Sequence, residues 1–153
     1  SDAAKPLRKD MIRDIMRAYL RTLGFNIKPP EEEYQHDIIV DPVTKKRMPV
    51  RYQGISTWKH GWEIRVEDLP LTKFVGFYLV MFELADAEDI RLHIRSDEMR
   101  RIMHKHGKKY PGITSGGHVD YWGMDVGKEV FKDIRRHMSP SKFLEESGRR
   151  EGN

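Results

Sequence analysis

The sequence predicts an α+β domain in which a central mixed β-sheet of about five strands is flanked by helices. Two observations favour this class: the first segment places apolar residues at helical spacing, and the middle of the chain carries short apolar or alternating segments of strand length. Hydrophobic residues make up 38% of the 153 residues, which is enough for one core when the apolar positions are patterned in this way. We therefore expect a single domain over residues 1–148 and a polar tail over 149–153.

Residues 8–23 form the clearest predicted helix, because their apolar positions fall on one stripe and Gly24 follows as a C-terminal stop. The stripe consists of Met11, Ile12, Ile15, Met16, Tyr19, Leu20 and Leu23.

The predicted strands cover residues 25–27, 34–40, 48–55, 62–66 and a long apolar segment, 74–84, with 92–94 pairing back onto it. Pro29-Pro30 and the turn that begins at Asp41 separate the first three.

Helices dominate the last third of the predicted fold. Ser96 is placed to cap a helix that ends at Gly107, and a third helix over 128–138 is expected to pack Val130, Phe131 and Ile134. A short fourth helix follows Ser139. The glycine-rich segment 110–123, which lies between the helix that ends at Gly107 and the helix over 128–138, is expected to be irregular.

Composition excludes several classes of protein. There is no cysteine, so disulfides, thiolate catalysis and cysteine-ligated zinc are ruled out. No apolar segment reaches the roughly 20 residues that span a bilayer, and the first 30 residues lack a signal-peptide core. We expect a cytoplasmic protein without membrane partners, located in host cytoplasm if the source is a virus or mobile element. The net charge of +4 and pI near 9.3 favour a polyanionic partner.

Two basic segments are candidates for contact with nucleic acid. Lys9, Arg13, Arg17 and Arg21 recur every four residues, which forms a row along the first helix opposite its apolar stripe. The segment 100–109 contains no acid and carries further cations and histidines: Arg100, Arg101, His104, Lys105, His106, Lys108 and Lys109. Tyr110, Trp122 and Trp58 lie near cations and are candidates for base stacking. A solvated charged face, and ordinary packing for each aromatic, are the alternatives.

The histidines and one glycine-rich loop carry weaker signals. His104 and His106 point to different faces of a helix, so they and His118 do not form a convincing zinc site. The loop 114–118 has glycines that could cradle a phosphate, but it lacks the lysine and preceding strand of an ATP-binding loop.

The order of segments over residues 8–106 resembles the PD-(D/E)XK nuclease superfamily, including archaeal-type Holliday junction resolvases. It comprises a helix ending in TLGFNI, a strand with HDIIV, a strand with MPVRYQGIS and a long apolar strand. The resemblance implies a metal-binding aspartate on the second strand, which Asp37 matches, and an acid-x-lysine pair on the third. Here that pair falls on Arg51-Tyr52-Gln53, with neither acid nor lysine. The first helix also lacks the glutamate of some members, so Asp10 or Asp14 would replace it.

Two interpretations follow from this partial match. In the first, the site has migrated and the chain is a divalent-metal-dependent DNA endonuclease: Asp37, Glu63 and Glu83 bind Mg²⁺ or Mn²⁺, and Lys59 assists. Asp37 would then lie within about 8 Å of Glu63 or Glu83. In the second, the fold binds DNA without cutting it. A protein-interaction module with a basic surface is a third possibility, and a homodimer stays open. The predicted DNA contacts are Lys9, Arg13, Arg17, Arg21, Arg51, Arg100, Arg101 and Lys105.

Overall fold

The computed structural model describes residues 9–30, 36–58, 61–82, 91–114 and 117–148. Five α-helices lie in this part of the chain: α1 (Lys9–Thr22), α2 (Asp68–Lys73), α3 (Ser96–His106), α4 (Lys128–Ile134) and α5 (Ser141–Glu146), with a 3-10 turn at Arg135–Met138. None of the described helices has the length and apolar character needed to cross a membrane.

The strands of the described chain form an eight-stranded sheet and a separate two-stranded hairpin. The large sheet contains β1 (Asn26–Lys28), β2 (Asp37–Val40), β3 (Arg47–Trp58), β4 (Gly61–Glu67), β5 (Phe77–Phe82), β6 (Arg91–Arg95), β7 (Lys108–Tyr110) and β10 (Tyr121–Asp125), and the hairpin contains β8 (Ile113–Thr114) and β9 (Gly117–His118). The α+β class is confirmed, and the sheet has more strands than the five expected.

Strand β3 organises the sheet because it pairs with three other strands. Its beginning pairs with β2 and its end with β4, both antiparallel, whereas β5 runs parallel to it from Val50 to Ile55. Val50 pairs with both Asp37 and Phe77, so β2 and β5 lie on opposite edges of β3. Strands β2 and β4 therefore share one edge, and neither pairs with residues 51–54.

Each face of the sheet carries its own core. Helices α1 and α5 cover one face, which we call the α1 face; its core includes Ile12, Met16, Ile39, Val50, Leu79 and Phe143. Helices α2, α3 and α4 cover part of the other, the α3 face; its core includes Ile55, Ile64, Val66, Leu71, Val80, Met99, Ile102 and Val130. Successive strand residues alternate between these faces. On β3, even-numbered residues such as Val50 point to the α1 face, and odd-numbered residues such as Ile55 point to the α3 face.

Several expected elements differ from those observed. The segment 110–123 is only partly irregular: it contains β8 and β9, and β10 pairs with β4 from Tyr121 to Asp125. Helix α2 interrupts the expected run of strands, so the apolar strand begins at Phe77 and not at 74. Ser96 does not cap α3; its hydroxyl accepts a hydrogen bond from the backbone N–H of Gly76. Phe131 is 49% exposed, because only Val130 and Ile134 of that helix face the core.

Candidate functional site

A large cleft opens where β2 and β4 separate along the edge of β3. It encloses about 1180 Å³, and its walls come from both sides of the sheet. Helix α1 contributes Arg13 and Arg17, and β2 and β3 contribute Asp37, Arg51 and Tyr52. The opposite wall carries acids from the end of β4, α2 and the loop before β10: Glu67, Asp68 and Asp120.

Asp37 is the buried acid of this cleft, with 4% of its surface exposed. The guanidinium of Arg17 donates to both its carboxylate oxygens, from Nε to Oδ2 at 2.6 Å and from Nη2 to Oδ1 at 2.7 Å. The hydroxyl of Tyr52 also donates to Oδ2. Both oxygens therefore have donors, and the charge of the carboxylate is matched by the bidentate arginine.

These contacts change the titration of all three groups. Burial would raise the pKa of Asp37, but the hydrogen bonds from Arg17 and Tyr52 outweigh it and hold that pKa below its ordinary value. The hydrogen bond to Asp37 raises the pKa of Arg17. Burial, reinforced by the nearby carboxylate, raises the pKa of the Tyr52 phenol. The trio is therefore ionised at Asp37 and Arg17 and neutral at Tyr52 over the physiological range.

The acid-x-lysine positions of the resemblance lie on the wrong face for a site at Asp37. Asp37 pairs with Val50, so Val50 and Tyr52 share its face of the sheet. Arg51 and Gln53 project from the other face. Arg51 donates to Nδ1 of His36 at 3.1 Å and lies 5.9 Å above the Phe74 ring. Tyr52, the central residue of the triplet, is the one that reaches Asp37.

Asp37 and Glu63 do not converge on one metal ion. Asp37 pairs with Val50 and Glu63 with Ser56, so the two acids stand six residues apart along β3, about 20 Å at roughly 3.3 Å per residue. Glu63 is bound by Arg65 instead. The Glu63 alternative of the expected metal site is therefore wrong, whereas the Glu83 alternative is not tested by the described residues. Glu83 and Lys59 lie outside the described residues. Within the described chain, no group of three or more His, Asp or Glu side chains could hold a metal ion.

The basic row on α1 is not uniform. Lys9, Arg13 and Arg21 are exposed, as expected for a face opposite the apolar stripe. Arg17 is not a free surface cation, because its guanidinium is turned into the cleft toward Asp37. Arg13 pairs with its neighbour Asp14 at 3.2 Å on the surface. Three of the four side chains predicted to contact nucleic acid are therefore exposed on this helix.

The basic cluster of α3 is largely neutralised. Arg101 pairs with Glu98, which also binds Arg136. Lys105 and His106 both contact Asp133, at 3.0 Å and 2.6 Å. These acids come from the start of α3 itself and from α4, and they balance the charge that makes the segment appear basic in the sequence. Arg100 donates to the backbone oxygen of Leu71 at 3.1 Å, a contact that fastens α3 to α2.

The aromatic candidates have mostly structural contacts. The indole N–H of Trp122 donates to Asp68 at 2.7 Å, and its ring packs against the core of the α3 face. Tyr110, 40% exposed, stacks on Tyr121 with ring centroids 5.3 Å apart. The side chains of Trp58 and His118 lie outside the described part of the chain, and the phosphate-cradle hypothesis for 114–118 lies there with them.

Sequence reasoning missed Tyr52 as a site residue, although the period-two alternation of β3 could have placed it beside Asp37. It also missed the basic side chains of β1 and β3, Lys28 and Arg47, which strand pairing places on one face of the sheet, two strands apart. Comparison of the chain with known protein families, curated proteins and solved structures finds no match.

Proposed function

We propose that this chain is a nucleic-acid-binding domain that holds a phosphate backbone at the cleft and does not cleave it. The observation that carries the proposal is the state of Asp37. Both oxygens of its carboxylate accept hydrogen bonds from Arg17, and one also accepts from Tyr52. A divalent ion needs free oxygen ligands at about 2.0–2.6 Å, and those positions are taken by hydrogen-bond donors.

Exchange of Arg17 for a metal would be costly. The guanidinium would have to leave a partner that is 3% exposed at the side chain, and separating a buried ion pair leaves each charge unmatched. Arg51 stands where the resemblance implies an acid, so a cation replaces a ligand. Guanidinium groups bind phosphate oxygens in the same bidentate geometry that they use for carboxylates.

The two walls of the cleft differ in charge, so a bound nucleic-acid strand would lie along one wall and not the other. Of the three arginines on the wall formed by α1, β2 and β3, Arg17 is matched by Asp37, so Arg13 and Arg51 carry the positive charge of that wall. On the other wall, Asp68 and Asp120 are both near Lys109, at 3.4 Å and 3.8 Å. A phosphate backbone would follow the first wall and be repelled from the second. Lys73, at the end of α2, adds a further cation to the lining of the cleft.

Binding of fluorescein-labelled DNA, followed by anisotropy at several salt concentrations, tests the proposal. Arg51→Gln with Lys73→Gln should weaken binding and make the salt dependence shallower by about one unit of slope for each lost phosphate contact. The matched control is Arg101→Gln with Lys105→Gln, which removes the same charge from α3 and should leave the slope unchanged. Equal effects of the two pairs, or a wild-type protein that does not bind DNA, would refute the proposal.

The metal-dependent endonuclease stays a prediction, and a plasmid assay separates it from the proposal. Incubation with Mg²⁺, Mn²⁺ or EDTA should leave circular plasmid intact if the domain only binds. Cleavage that needs the metal and falls at least about tenfold in Asp37→Asn or Glu83→Gln would favour the nuclease, since a lost metal ligand removes most transition-state stabilisation. A salt dependence that does not follow phosphate number would favour an acidic protein partner.

A further inference from the structure

The α3 face of β1, β2 and the beginning of β3 is not covered like the rest of the sheet. In β2, Asp37 and Ile39 are buried under α1 whereas Ile38 and Val40, which point the other way, are only half-buried. Their cross-strand partners on the same face are Lys28 and Asn26 on β1, and Pro49 and Arg47 on β3. We call the surface formed by Lys28, Ile38, Val40, Arg47, Pro49 and Arg51 the basic sheet face.

The cations of this face differ from those of α3 in their surroundings. Lys28 and Arg47 are exposed and form no ion pair with any residue that the structure describes. No acidic residue of β1, β2 or the first half of β3 projects on this side, because Asp37 points to the α1 face. The positive charge is therefore uncompensated by described neighbours, whereas Arg101 and Lys105 on α3 are each held by an acid.

The geometry of the face fits an extended polyanion. Arg47 and Arg51 stand four residues apart on one strand, about 13 Å, and Lys28 lies two strands from Pro49, about 10 Å. Those spacings correspond to roughly three or four nucleotides of a strand that rises about 3.4 Å per nucleotide. Between the cations lie the apolar side chains of Ile38, Val40 and Pro49, which can contact sugars.

The turn from β2 to β3 extends the charge beyond the sheet. Asp41 shapes it, because its Oδ1 accepts hydrogen bonds from the backbone N–H groups of Val43 and Thr44. Lys45 adopts a left-handed backbone conformation with φ of 65°, and Lys45 and Lys46 are both exposed. At the other end of the face, Arg51 belongs to the cleft as well.

We infer that the basic sheet face is a second contact surface for nucleic acid, along which the phosphate backbone runs from Arg51 in the cleft to the turn at Lys45 and Lys46. This inference rests on the proposed function and names the path that the bound strand follows. The occupant is a nucleic-acid backbone because the face combines Lys28 and Arg47, exposed cations with no acidic partner among the described residues, with a narrow apolar centre. It predicts a binding site longer than the cleft alone.

The test uses Lys28→Glu with Arg47→Glu, two exposed positions outside the cleft. The control is Lys128→Glu with Arg135→Glu, which makes the same change in net charge on α4 and the turn after it. Anisotropy titrations with a labelled duplex and with its single strand should show at least about tenfold weaker binding for the first pair. They should also show a salt slope shallower by about two units, one for each lost contact. The control should change the affinity less than about twofold, and circular dichroism should show that all variants are folded.

The outcomes separate this inference from the proposed function. If wild type binds DNA and the two charge-reversed pairs behave alike, the basic sheet face is not a contact surface, although cleft binding stands. A shortened oligonucleotide that covers only the cleft should lose the difference between wild type and Lys28→Glu with Arg47→Glu, and persistence of the full difference would also refute the path. If wild type binds neither duplex nor single strand, both proposals fail together.

Discussion

The guanidinium of Arg17 on α1 makes two parallel hydrogen bonds to the carboxylate of Asp37 on β2, at 2.6 Å and 2.7 Å. This pair joins the first helix to the sheet in the wall of the cleft. It also decides the chemistry of the site, because the same carboxylate is the residue that the nuclease resemblance assigns to a metal. Tyr52 completes the contact from β3, so three elements meet at one buried charge.

The Arg17–Asp37 pair should contribute measurably to stability. We expect Asp37→Asn to lower the free energy of unfolding by about 2–3 kcal/mol, because it leaves the partly buried guanidinium of Arg17 with only a neutral amide partner. Asp14→Asn, which removes the exposed partner of Arg13, should change it by less than about 1 kcal/mol. Urea denaturation of both variants measures the difference.

A double-mutant cycle with Arg17→Met provides the control for this prediction. If the two groups interact directly, the cost of losing both should be smaller than the sum of the single costs. Additive costs would show that Asp37 is stabilised by Tyr52 and the backbone, and Arg17 would then be available to bind phosphate without a penalty.

The substitutions that test the basic row of α1 must leave the contact between Arg17 and Asp37 in place. From periodicity alone, Arg13→Glu with Arg17→Glu would be expected to leave the fold intact. Because Arg17 binds a buried carboxylate, that pair would place two acids together and unfold the site. Arg13→Glu with Arg21→Glu keeps the contact, so it should preserve the thermal midpoint while weakening DNA binding if α1 faces the ligand. Unchanged affinity and salt slope would remove α1 from the interface.

Local patterns predicted the parts of the fold that depend on neighbouring residues. The apolar stripe that ends at Leu23 marks α1, and the apolar run 38–40 marks the strand that contains Ile39. The segment ending at Gly107 is the helix expected there. Pairing between distant segments is not visible in a local pattern: β10 pairs with β4, and although its Tyr121 and Trp122 favour a strand, they follow a segment whose glycines favoured irregular structure.

The candidate site shows the same limit. Asp37 was identified from its place in the chain, but its partners lie 20 residues before it and 15 residues after it. A four-residue repeat shows that Arg17 lies on a helix, and it does not show which acid the helix crosses. The acids that neutralise α3 are similarly remote, since Asp133 comes from α4. A count of cations in a segment therefore overstates its surface charge.

Gly76 is a position where only a hydrogen side chain fits. A Cβ there would stand 2.2 Å from the carbonyl oxygen of Pro49, which is backbone of β3 and cannot move without disturbing its pairing. We expect Gly76→Ala to destabilise the domain by about 3 kcal/mol. Gly127→Ala is the matched control because a Cβ there meets nothing within 4 Å, and its effect should be below about 1 kcal/mol. Equal thermal midpoints for the two variants would contradict this prediction.

His93 should be a neutral histidine with a defined tautomer. Its Nδ1 lies 2.9 Å from the backbone oxygen of His137, and its Nε2 lies 2.7 Å from the hydroxyl of Tyr19. A carbonyl oxygen can only accept, so Nδ1 carries the proton and Nε2 accepts from Tyr19. Burial lowers the pKa of His93 below the ordinary 6.5, and the nearby charge of Arg91 lowers it further.

The consequence is a loss of stability in mild acid. As the pH falls below 6.5, the unfolded chain binds a proton at this residue while the folded chain does not, so the free energy of unfolding decreases until the pH reaches the lower folded pKa. Nitrogen-15 NMR of His93 should show Nδ1 protonated and Nε2 unprotonated at neutral pH, with a titration midpoint below 6.5. Tyr19→Phe should keep that tautomer, because the carbonyl of His137 still requires a donor, and should cost about 1 kcal/mol. A proton on Nε2, or a midpoint above 6.5, would contradict the assignment.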